Sequence, residues 1–168
     1  MTIQRFTFFV LLLAAAMQAA YYYPLMPMMM ASHFDAAGRA NGWMPKEGFF
    51  LTYALVVSLM SAMFTVMPKL VLKFPDSMIN LPNKDYWLAA ERRDQTAGLI
   101  ERHMKTAGNL TIALLLCVFQ MSFRANLENQ SRLSESIWLL LVAFVALMAV
   151  WAIRFIRAFR VIQMRLML

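Results

Sequence analysis

The side chains best placed to do chemistry lie in one stretch, Ser32-His33-Phe34-Asp35-Ala36-Ala37-Gly38-Arg39-Ala40-Asn41-Gly42-Trp43-Met44-Pro45-Lys46. His33 and Asp35 are metal-ligand types two residues apart, but a zinc site takes three or four ligands. The only other histidine is His103. A folded cap with Asp35 paired to Arg39 or Lys46 explains the same residues without a metal. Gly38 and Gly42 allow positive φ, and Asn41-Gly42 is a turn signal. Just upstream, Met26, Met28, Met29 and Met30 carry thioethers of the kind that bind Cu(I). The chain holds 16 methionines, however, and such runs also fill irregular apolar gaps. There is no Ser/His/Asp arrangement, no paired carboxylates and no phosphate-cradling glycine loop. The expectation is a non-enzymatic protein with no catalytic residue, no cofactor and no metal.

The elements that must position these residues follow from composition. The chain has 168 residues, 61% hydrophobic and 15% charged, with mean hydropathy +0.57. Soluble domains run near half apolar and a quarter charged. Four apolar runs, 6–23, 49–67, 109–123 and 137–153, approach the ~20 residues that cross a bilayer as helix. The predicted fold is all-α: a polytopic membrane protein, one domain over 1–168, built as a four-helix transmembrane bundle. It has a short extracytoplasmic loop at 24–48, a cytoplasmic loop with an amphipathic helix at 68–108, and a basic amphipathic tail at 154–168. The second run ends at Pro68 and Lys69. The third is short and begins inside the preceding helix. The first has a rival reading as a cleaved signal peptide, from Arg5, the apolar stretch and the small residues at 15–20. The single cysteine, Cys117, lies in an apolar run, so no intrachain disulfide forms.

The net charge of +7 has a direction. Arg5, the seven of loop 68–108 (Lys69, Lys73, Lys84, Arg92, Arg93, Arg102, Lys105) and the four of the tail (Arg154, Arg157, Arg160, Arg165) make twelve. Arg39, Lys46, Arg124 and Arg132 on the other side make four. Basic residues accumulate on the cytoplasmic side, which puts both termini in the cytoplasm and loops 24–48 and 124–136 outside.

Within loop 68–108, Pro68, Pro75 and Pro82 keep the first half from helix. Asp85 reads as an N-cap, followed by a surface helix over 86–107 that leads into the third span. Leu88, Ile100, Met104 and the Tyr86/Trp87 pair could rest on headgroups. In the tail, four arginines fall within about 140° of a helical wheel, with Phe155 and Phe159 on another face, a pattern suited to anionic headgroups rather than nucleic acid. The spans contain no charge. Their polar groups are Gln18, Thr52, Ser58, Ser61, Thr65, Thr111, Gln120 and Ser122, of the kind that join helices, and ion transport is disfavoured.

Pro24 and Pro27, then His33-Phe34-Asp35 with Gly38, then Gly42-Trp43 with Lys46, directly after a first membrane helix, resemble a bacterial membrane domain of unknown function. That domain also forms the N-terminal part of the SdpI-type immunity proteins. The segment Ile79-Asn80-Leu81-Pro82-Asn83-Lys84-Asp85-Tyr86-Trp87, then Glu91-Arg92-Arg93, and Asn126 after the third span, are similar to its short stand-alone members. The resemblance implies an α-helical bundle in the bacterial inner membrane. It also implies recognition of an extracellular peptide, giving immunity or stress sensing. The recognition residues would be His33, Phe34, Asp35, Gly38, Trp43 and Lys46. Asn80, Pro82, Asn83, Tyr86, Trp87, Arg92 and Arg93 would form a second, cytoplasmic motif. Two other readings stand beside it: an accessory subunit of a larger membrane complex or homo-oligomer, and a weak ligand- or metal-binding module at His33 and Asp35.

Overall fold

The computed structural model describes residues 2–128 and 132–160. Arg165 and the last part of the predicted tail lie outside them. Five helices and two strands follow in the order α1 (Ile3–Tyr22), β1 (Met29–Phe34), β2 (Ala40–Pro45), α2 (Lys46–Leu70), α3 (Lys84–Trp87), α4 (Arg93–Leu127) and α5 (Ser136–Arg160). The protein is an all-α membrane protein, and four of these helices are long and apolar enough to span a bilayer. A single antiparallel hairpin, β1 with β2, is the one sheet among the described residues.

The long α4 is the mast of the fold, with α1, α2 and α5 all packed on it. Near its middle, Gly108 lets α2 approach so closely that a Cβ there would stand 2.7 Å from the Phe64 Cβ. Towards the hairpin, Tyr22, Phe49, Phe50, Tyr53 and Phe119 surround the fully buried Phe123. Tyr22 and Phe50 stack nearly flat against that ring, at 4.7 and 5.3 Å between centroids. Beneath this cluster a polar chain crosses three helices. The Tyr53 hydroxyl lies 3.0 Å from Gln18 Oε1 and 2.9 Å from the Ala15 carbonyl, its one proton shared between the two acceptors. Gln18 Nε2 donates to Gln120 Oε1 at 2.9 Å, and Gln120 Nε2 donates to the Tyr22 hydroxyl. Gln18 and Gln120 thus join helices as expected, whereas Thr52, Ser61, Thr65 and Thr111 bond carbonyls of their own helix one turn back.

Both ends of the bundle have defined membership. The hairpin and residues 132–133 share one end, where the Leu133 amide donates to the Gly38 carbonyl at 2.8 Å and Arg132 Nε donates to the Ala37 carbonyl at 3.2 Å. The start of α1, the segment 68–108 and the end of α5 share the other, through the Arg5–Glu101 ion pair and the packing of Phe159 on Trp87.

Several boundaries differ from the sequence expectation. Loop 24–48 folds as a hairpin. Pro68 lies inside α2, which runs to Leu70; so close to the helix end the ring forfeits little more than one backbone bond. The surface helix expected over 86–107 is two pieces. α3 stops at Trp87, a 3-10 turn spans Ala90–Arg92, and α4 starts at Arg93. Asp85 is not the cap; Asn83 precedes α3 in the left-handed region, at φ 53°. Leu88, Ile100 and Trp87 do not rest on headgroups. They are buried with Ile79, Leu81 and Phe159 in a second core. The tail is not a separate helix at its start, since α5 carries the fourth span through to Arg160 without a break.

Candidate functional site

The hairpin's chemistry starts at its turn. Asp35 Oδ1 accepts from the amides of Ala37 and Arg39 at 2.9 and 2.8 Å, and Oδ2 accepts from Arg39 Nε at 3.0 Å. An aspartate that satisfies its own turn amides in this way closes the loop locally. The Arg39 amide, helped by the Arg39 guanidinium, holds the Asp35 carboxyl below its ordinary range. Gly38 takes φ +77°, and a Cβ there would meet the Leu133 carbonyl at 3.0 Å. This is where the turn falls. Asn41-Gly42, expected to turn, lies inside β2, because the Asp35 carboxylate organises the bend four residues earlier. Gly42 serves by size instead: it pairs with His33, and a Cβ would sit 3.1 Å from the His33 Cβ and ring.

Below the turn, the hairpin is pinned by Asn126 of α4. Its Oδ1 accepts from the Ala31 amide at 2.7 Å and its Nδ2 donates to the Ala31 carbonyl at 3.0 Å. A side-chain amide here completes the outer edge of β1 as a neighbouring strand would. Ala31 and Asn126 are both buried. The sequence marked Asn126 only through its resemblance, and nothing in its spacing announces the partner 95 residues away.

The hairpin residues singled out in the sequence divide into two groups. Asp35, Gly38 and Lys46 are structural: the first two build the turn, and Lys46 Nζ sits 4.8 Å from the Tyr23 ring centroid. Phe34 is half-buried, while His33 and the 56%-exposed Trp43 face outward, with Met28 and Met29 beside them. His33 Nδ1 lies 3.0 Å from Ser32 Oγ. With Asp35 committed to its turn, His33 and Asp35 do not converge as a ligand pair. Nor do the methionines converge: Met26 and Met30 are buried in the core and Met28 and Met29 are exposed. Among the described residues no three His, Cys, Asp or Glu side chains come together as a metal site.

At the opposite end, the second motif clamps α5. Asn83 Nδ2 and Trp87 Nε1 both donate to the Phe159 carbonyl, at 3.0 and 2.9 Å. Arg93 donates to the carbonyls of Leu72 and Leu88 and to Asp76 Oδ1, and Arg92 lies over the Tyr86 ring at 3.7 Å. Asn80 and Pro82 flank Leu81, which enters this core. Phe155 and Phe159 pack here and not against a membrane surface, while Arg154, Arg157 and Arg160 remain exposed.

Neither a curated protein nor a solved structure matches the chain. Residues 9–57 match a domain of unknown function, DUF1648. The matched segment takes in most of α1, the whole hairpin and the first half of α2. The similarity to this domain of unknown function thus centres on the hairpin, within an integral membrane protein that has four helices long and apolar enough to span a bilayer.

Proposed function

We propose that the chain is a non-enzymatic protein of the bacterial inner membrane, both termini cytoplasmic, whose hairpin recognises an extracytoplasmic peptide and so confers immunity or reports envelope stress. The pinned hairpin carries this reading. Asn126 occupies the outer edge of β1, yet beyond Ala40 no strand pairs with the outer edge of β2 among the described residues. Such an edge accepts an extended peptide through main-chain bonds, with nearby side chains selecting it. Trp43 and His33 stand beside that edge. The orientation is supported by the eleven basic residues, among those described, that Arg5, loop 68–108 and the end of α5 bring to the other end, and Arg154, Arg157 and Arg160 would meet anionic headgroups there. His33→Ala combined with Trp43→Ala changes two exposed side chains, so protein levels should hold. Resistance to a secreted membrane-active peptide should fall at least about tenfold if this edge is an interface hot spot. Full resistance in the double variant would sink the proposal.

One observation favours a second reading, a subunit of a larger assembly. A groove of about 980 Å³ runs between α1, α4 and the start of α5, apolar except for Gln18, Gln120 and Ser136. A helix of another subunit could lie there. Native-mass analysis after mild extraction would show a reproducible larger complex on this reading, and the bare chain on the first.

A further inference from the structure

At the basic end, α1 and α2 both pack on α4 and leave a cleft between them. It is a cavity of about 480 Å³ lined by Arg5, Phe8, Phe9, Phe64, Thr65, Lys69, Glu101, Lys105 and Gly108. Its polarity is divided along the bundle axis. The three phenylalanines lie within the apolar runs, and the charged groups lie just beyond them. Phe9 lines the cavity and is also 61% exposed, so the cleft opens sideways into hydrocarbon. Glu101 pairs with both Arg5 and Lys105, which offsets one positive charge. Lys69 pairs with no carboxylate among the described residues, and the cleft keeps a positive excess.

We propose that this cleft binds one anionic phospholipid, its phosphate held by Lys69, Lys105 and Arg5 and its upper acyl chains against Phe8, Phe9 and Phe64. The volume lies within the about 300–1,000 Å³ typical of small-molecule sites. A free phosphate ion would leave the aromatic floor empty, and a zwitterionic lipid, whose phosphate comes with its own ammonium, would leave the positive excess of the cleft uncompensated. The exposed arginines of α5 lack such a pocket, so they attract lipid without choosing one. The cleft is at the end of the bundle away from the hairpin, and its occupancy is independent of what the hairpin binds.

The test is native mass spectrometry of the delipidated full-length protein, titrated separately with phosphatidylglycerol, phosphatidylcholine and inorganic phosphate. One phosphatidylglycerol should bind saturably and more tightly than phosphatidylcholine. Lys69→Gln removes an unpaired surface cation and should weaken it about fivefold, the value of one basic contact at a membrane surface. Thr65→Phe keeps every charge but fills the cavity, and should abolish the selective site. The triple variant Arg154→Gln, Arg157→Gln and Arg160→Gln should leave it intact. Equal binding of the two lipids would overturn the proposal. So would wild-type retention in both cleft variants, or displacement of the lipid by millimolar inorganic phosphate.

Discussion

A buried strand edge leaves main-chain groups that must find partners, and Asn126 supplies both partners that Ala31 needs. Asn126→Ala leaves a buried amide and a buried carbonyl unpaired, which costs about 2 kcal/mol or more. The expected result is a lower unfolding midpoint in detergent with faster exchange of the Ala31 amide; an unchanged Ala31 amide would refute the pinning role. Asp35 makes a pH-dependent prediction. Its native titration lies below its ordinary 3.8, so the stabilisation it gives the turn is complete above that pH. The contribution is lost as pH falls below 3.8 and through the lower native value. The Ala37 and Arg39 amide resonances should report that loss together, and Asp35→Asn should remove the titration.

The Phe159 carbonyl of α5 accepts from Asn83 and Trp87, and Trp87 was expected on a surface helix that could rest on headgroups. Hydropathy spacing could not reveal this, because an apolar face pairs equally well with headgroups or with a second core. The left-handed Asn83 decides between them by turning Trp87 inward. Trp87→Phe together with Asn83→Ala should release the end of α5 at about 1–3 kcal/mol. Limited trypsin treatment should then cut after Arg157 and Arg160 at least several-fold faster. Unchanged cleavage would show that apolar packing of Phe159 alone holds the helix.

At the scale of the bundle, the proposed orientation requires the basic segments to share one end and the hairpin to lie at the other. The segments counted as basic, Arg5, loop 68–108 and the end of α5, meet at one end, and the hairpin occupies the other. A reporter fused after Leu168 is expected to be active only as a cytoplasmic fusion. A cysteine at Trp43 should react with an impermeant thiol reagent added to intact spheroplasts. Protection of that cysteine, with labelling only after lysis, would invert the orientation.

The four spans were legible because hydrophobicity over ~20 residues is a property of the chain alone: lipid accepts no unpaired backbone, so each apolar run must be helix. Asp35 and Gly38 were legible as special residues, but not the turn they build, since Asn41-Gly42 carried the stronger local signal. The Asn126–Ala31 clasp, the Phe123 cluster, the Asn83 and Trp87 cap on Phe159, and the Arg5, Lys69 and Lys105 cleft were not legible at all. Each joins residues tens of positions apart, and their meeting depends on how α1, α2 and α5 lean on α4. That arrangement follows from side-chain packing and polar pairing between helices, which periodicity within one helix does not encode.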